Sequence, residues 1–260
     1  MKKLFFLMAS GLLLLASCSL KHDDTGYDAA TRRKVIAQSM HNSNIGQVLV
    51  NLDPFNIAFR LNTLMVESEA YGGDVNNAAL DAIRQELFGA SVTIASDNQG
   101  VYTILLQGQG KYDYIHSGKL IVNTNGSTLS NGNSWSLSIP EAAKYRFSMS
   151  GTTVALYADS YTVTSTEDNT WEIQIRKLVS NQPETDYPES KSDWSGKITM
   201  KQDQFTDQSL ESVSKSTYSM EIESANQITT MYVTDTMSVQ TTAPLIFNPA
   251  CSQGLIVGSG

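Results

Sequence analysis

The feature that most constrains this chain is a change of apolar period at Gly89. Before it, apolar residues recur at helical spacing. Ile45, Val48, Leu49 and Leu52 fall at i, i+3, i+4 and i+7, and Ile57, Leu61, Leu64 and Met65 resume the pattern after a break. After it, apolar and polar residues alternate nearly to the end, as half-buried strands require. A helical stripe and an alternating strand each carry one apolar face that needs cover, and laying helices on a sheet covers both. The expected fold is α+β: N-terminal helices packed on a large, mostly antiparallel β-meander curled toward a partial barrel. A two-sheet β-sandwich is the alternative.

Local signals divide the chain further. In the helical segment, residues 28–89, Asp53 can cap a helix while Pro54 takes its first position, where a missing N–H costs nothing. Tyr71, Gly72 and Gly73 read as a turn, and a further helix reads from Asp74 as cap through Leu80, Ile83 and Leu87 to Gly89 as terminator. In the β region, residues 90–260, strands read around 92–94, 101–106, 119–122, 135–139, 145–149, 154–157, 161–163, 171–175, 197–200, 218–222 and 228–239. Asn125 with Gly126, and Asp168 with Asn169, supply turn chemistry. Residues 180–193, rich in Pro, Ser and acids, are the candidate internal boundary. Two patterns recur. Asn133-Ser134-Trp135 with Leu137 and Ile139 matches Asn169-Thr170-Trp171 with Ile173 and Ile175, and Ser117-Gly118-Lys119-Leu120 matches Ser195-Gly196-Lys197-Ile198. The apolar run Leu255, Ile256, Val257 lies so near the last residue that a truncated sheet is expected there.

The first eighteen residues concern address rather than fold. Lys2 and Lys3 precede an apolar run that closes on Leu15, Ala16, Ser17 and Cys18. A basic start, a short greasy middle and small residues at the end have the form of a secretory signal. The run falls short of the roughly 20 apolar residues that a membrane-spanning helix needs. The tetrad resembles the lipobox of bacterial lipoproteins. That resemblance implies removal of residues 1–17, a diacylglycerol on the thiol of Cys18, and an acyl chain such as palmitate on the new amino group. Each buried methylene contributes about 0.8 kcal/mol, so two or three chains hold a protein at a bilayer where one lets it go. Residues 18–27 then form a tether. Within it, Asp23 and Asp24 resemble the acidic signal that accompanies export to the outside of the outer membrane in envelope lipoproteins of the Bacteroidota.

Charge and composition exclude several functions. The formal net charge is −8, and the only basic triplet, Arg32, Arg33 and Lys34, reads as a solvated helix face, so a nucleic-acid partner is not expected. With Cys18 acylated, Cys251 has no partner for an internal disulfide. His22, His41 and His116 lack carboxylate or thiol neighbours at metal-ligand spacing, so no metal and no cofactor beyond the covalent lipid is expected. The chain carries no nucleophile elbow, phosphate loop or dinucleotide fingerprint. Asp159, Glu167, Asp168, Asp203 and Asp207 read as solvated turn residues. Trp135 and Trp171 stand at core-facing strand positions. Trp194 follows the polar stretch and precedes Ser-Gly, which makes it the candidate exposed aromatic for stacking on a sugar ring. The expected function is non-catalytic: a protein anchored to the outer membrane through its lipid that binds a glycan or an envelope protein at the surface, or has a structural role there. The alternative is a periplasm-facing carrier of a lipid or other apolar ligand, with a hydrolase third.

Overall fold

The computed structural model describes residues 53–89, 92–97, 99–109, 115–130, 132–149, 152–167, 169–181, 191–204, 207–229, 234–247 and 255–256. All of them belong to one compact unit, Asp53–Gly260. The stripe around Ile45 to Leu52 therefore lies outside the described residues, as do Cys18, Asp23, Asp24 and Cys251.

Residues 53–68 form helix α1. Of the expected stripe Ile57, Leu61 and Leu64 are buried and Met65 is half-buried, but burial extends beyond it to Phe55, Ala58, Phe59, Asn62 and Thr63. Phe59 meets Phe55 with ring centroids 4.3 Å apart and meets Trp171 of the sheet edge-on at 4.8 Å, a geometry that adds about 0.5–1.5 kcal/mol to simple burial. The second helix, α2, spans Asp81–Phe88. It starts later than the sequence suggests because Asp74 and Asn77 spend their side chains on turns: Asp74 accepts from the Asn76 N–H, and Asn77 accepts from Ala79 N–H. Gly89 closes it through a bond from its N–H to Gln85 O.

Among the described residues twelve strands form one open, antiparallel sheet: β1 Val92–Ser96, β2 Val101–Gln109, β3 Ile115–Asn123, β4 Ser134–Ile139, β5 Tyr145–Met149, β6 Thr152–Glu167, β7 Thr170–Asn181, β8 Lys191–Gln202, β9 Tyr218–Thr229, β10 Thr234–Gln240, β11 Leu245–Phe247 and β12 Leu255–Ile256. Their order is β1-β2-β3-β4-β6-β7-β8-β9-β11-β12, with β10 beside β9 and β5 between β3 and β6. Among the described residues the sheet does not close into a barrel. Alternation sends Leu120, Val122, Trp135, Leu137, Tyr161, Val163, Trp171, Ile173, Ile198, Met200, Met220 and Ile222 to one buried face. Two of the segments read as separate strands, 154–157 and 161–163, are parts of β6, so Asp159 lies within a strand and not in a turn. Conversely, 228–239 divides between β9 and β10. Across the candidate boundary at 180–193 the sheet is continuous, since Asn181 of β7 faces Lys191 of β8.

Strands β4 and β5 are two halves of one path. Both run antiparallel to β3, β4 opposite residues 121–123 and β5 opposite residues 115–117. Between them, residues 140–144 leave the ladder through a short 3-10 turn, Glu141–Ala143. Gly118 makes room for this. Its φ is +115°, and a Cβ there would stand 2.2 Å from Lys144 O. The matching Gly196 lies beside the β7–β8 register shift, where a Cβ would stand 2.6 Å from Glu223 O. The repeated Ser-Gly-Lys thus marks two places where a neighbouring backbone comes too close for any side chain.

Gly118→Ala is expected to lower stability by about 2–4 kcal/mol in urea denaturation, because strain and backbone overlap add. Gly126→Ala, at φ +76° but with open space around it, should cost only about 1–2 kcal/mol. Equal losses would show that the Lys144 approach contributes nothing.

Candidate functional site

The alternation of β3 carries one imidazole to the buried face. Ile115 is exposed and His116 is 3% exposed, on the same side as Leu120 and Val122. A polar ring there needs partners. The excursion at 140–144 delivers the first: when the chain rejoins the sheet, Phe147 faces His116, and Tyr145, two residues away, lies diagonally across from it. The Tyr145 and His116 rings are 6.0 Å apart, and His116 Nδ1 is 2.6 Å from Tyr145 Oη. The second partner comes from the first turn of α1. Asp53 Oδ2 accepts the Tyr145 hydroxyl and lies 3.1 Å from His116 Nδ1.

Proton positions follow from counting. Burial pushes the Tyr145 phenol well above its ordinary range, the Asp53 charge and hydrogen bond push it further, and the Arg60 guanidinium acts weakly the other way. Tyr145 is therefore a neutral donor, and its single hydrogen goes to Asp53. His116 Nδ1 lies within reach of both oxygens, and in the tautomer that carries its proton on Nδ1 it donates to them. Three mutually bonded groups then share two hydrogens with no two lone pairs opposed. Tyr161, buried beside them, is likewise raised by desolvation first and the Asp53 charge second. Arg60, two helical turns along from Asp53, has a buried Nη1 without a hydrogen-bond partner.

Chemically this arrangement is a clasp. Asp53 is 7% exposed and Tyr145 is fully buried. Two further links hold α1 down. Asn62 Oδ1 accepts from Leu129 N–H at 2.7 Å, and Glu67 Oε1 accepts from Leu210 N–H at 2.7 Å. Leu129 O in turn accepts the Trp171 indole N–H, and Ser127 O accepts that of Trp135. Leu210 opens the short helix α3, Leu210–Lys215, whose free N–H groups suit a carboxylate. Nearby, Asp207 is held below the usual carboxylate range by the Ser209 and Ser212 hydroxyls.

The candidate residues fare differently. Cys18, Asp23 and Asp24 are outside the described residues. Trp194 is corrected: it is 1% exposed, because β8 begins at Lys191 and pairs on both sides, setting Trp194 between Leu178 and Asn226. It offers no stacking platform. Trp135 and Trp171 are buried as expected. His116, which sequence left as a lone histidine, belongs to the clasp, and its carboxylate partner comes from the residue expected to cap a helix. No group of three or more His, Cys, Asp or Glu suited to a metal occurs among the described residues. Comparison with protein families, curated proteins and solved structures finds no match to this chain.

Tyr145→Phe removes the donor to Asp53 and should cost about 1–3 kcal/mol in urea denaturation, with the buried carboxylate left short of a bond. An unchanged midpoint would mean that the clasp does not form. A second expectation concerns alkali. Tyr145, Tyr161 and Tyr218 all have phenols raised above the ordinary 10.0 by burial. The unfolded chain ionises first, so their contribution is complete below pH 10 and is lost as pH climbs toward the raised folded values. Each adds a slope of up to about 1.4 kcal/mol per pH unit. Urea midpoints taken from neutral pH upward should stay flat and then fall steeply beyond that point.

Proposed function

We propose that this chain is an envelope lipoprotein, acylated on Cys18 after loss of residues 1–17, whose β-rich body acts by non-covalent capture of a protein or glycan, or has a structural role, outside the outer membrane. The observation that carries the reading is the run from Lys2 to the tetrad Leu15, Ala16, Ser17, Cys18. Asp23 and Asp24 support the outward orientation.

The geometry of the body supports a role without catalysis. A general acid or base must come within hydrogen-bond reach of the proton that it moves. Asp53, in the first turn of α1, is bonded to Tyr145 and His116, and all three are buried. Capture is favoured over carriage of an apolar ligand because, where α1 meets the sheet, Phe59 packs directly on Trp171. With Trp194 buried, ring stacking at that position gives way to the wet face of β7, β8 and β9. There Gln174, Lys197, Glu221 and Glu223 are exposed, and Lys197 pairs with Glu172. Such a face offers donors and acceptors to a polar partner.

Growth with an alkyne-bearing fatty acid tests the anchor. The wild-type chain should take up the label, and Cys18→Ala should take up none and leave the membrane fraction. Equal labelling of both would sink the reading. Protease applied to intact cells should digest the anchored body. The double substitution Asp23→Ala with Asp24→Ala should protect it until lysis.

A further inference from the structure

Strand β1 lies at an edge of the sheet: among the described residues it pairs with β2 alone. In an antiparallel ladder each residue points both backbone polar groups to the same side, and successive residues alternate. Just past β1, Asp97 N–H donates to Val101 O at 3.1 Å, so Asp97 faces β2. Thr93 and Ala95 face β2 with it, and Val92, Ile94 and Ser96 turn outward. Ile94 stands at the centre of the outward set, and its carbonyl is already engaged. Asn76 Nδ2 donates to Ile94 O at 2.9 Å. Asn76 is aimed there by its own backbone, whose N–H is held by Asp74 Oδ1 at 2.9 Å. A side-chain amide thus occupies the place that a neighbouring strand would take.

Sheet edges are ordinarily protected by lysine, proline, bulges or a covering element. The sequence Val-Thr-Ile-Ala-Ser has no charge and no proline, and its pairing with β2 runs without a register shift. The strand is also self-complementary. A two-fold axis at Ile94 sets Ile94 opposite Ile94 of a second copy, exchanging both bonds, and sets Thr93 opposite Ala95. This is the self-matching contact that a symmetric dimer uses. Such an arrangement requires the carbonyl that Asn76 holds.

We propose that Asn76 guards β1, and that without it the edge pairs antiparallel with β1 of a second copy of this chain. Sedimentation equilibrium of the full-length protein in density-matched detergent tests this. The wild type should be monomeric. Asn76→Ala, and Asn76→Ser, which is too short to reach the carbonyl, should form a dimer of twice the mass. Hydrogen exchange at the Ile94 amide should slow in that dimer. Adding Thr93→Lys and Ala95→Lys to Asn76→Ala sets lysine against lysine across the axis and should restore the monomer. The proposal is overturned if both Asn76 variants stay monomeric with wild-type circular dichroism, if the paired lysines leave the dimer intact, or if the wild type already dimerises through β1.

Discussion

The backbone of Lys144 runs where a side chain at residue 118 would otherwise stand, and much of the structure depends on that contact. Because residue 118 is glycine, the chain can leave the sheet after Ile139 and return at Tyr145 without pushing β3 away. The return sets Tyr145 diagonally across from His116, and both rings then sit under the first turn of α1. Asp53 is bonded at that end of the helix, Asn62 in its middle and Glu67 at its far end, each to a different part of the β region. Polar links of this kind add little net stability apiece, about 1 kcal/mol, but each fixes a register that apolar packing alone leaves free to slide. An apolar stripe says only that α1 is buried. The three polar residues say where.

This division explains what could be read in the sequence. Period and turn chemistry are local, so the switch at Gly89, the positions of most strands, and the burial of Trp135 and Trp171 were legible. The clasp was not, because its members are brought together by topology. Asp53 beside Pro54 has the local look of a helix cap, and His116 beside Ser117 and Gly118 has the look of a turn. Only the pairing of β3 with β5 and the seat of α1 unite them. The one faint signal was the repeated Ser-Gly-Lys: glycine inside an alternating run points to close backbone approach.

Trp194 shows the opposite failure, in which local composition misleads. Lys191, Ser192, Asp193, Ser195 and Gly196 make its surroundings look like loop. Yet β8 pairs along its length with both β7 and β9, so every second residue is turned to the buried face whatever its neighbours are. Ser195 and Lys197 are exposed because they alternate with Trp194 and Ile198, not because the segment is irregular. A central strand with a polar outer face and a glycine is hard to tell from a loop until its partners are known. Helix α3 was missed for a related reason: it is short, and its Ser209 cap sits among other serines.

Anchoring and edge protection belong together. A chain held by acyl chains at Cys18, as proposed, is confined to a surface with its copies, and confinement raises the effective concentration of one copy around another without any new contact. Under that condition an unguarded, uncharged edge is more hazardous than it would be in free solution, because each encounter offers strand to strand. Charge would be the usual deterrent, and the chain has a formal net charge of −8, but β1 carries none. Protection by the Asn76 amide suits the same strand better in one respect. It satisfies the central carbonyl directly, so the edge is blunted at its middle without placing a charge beside Ile94, which is 5% exposed and packs inward.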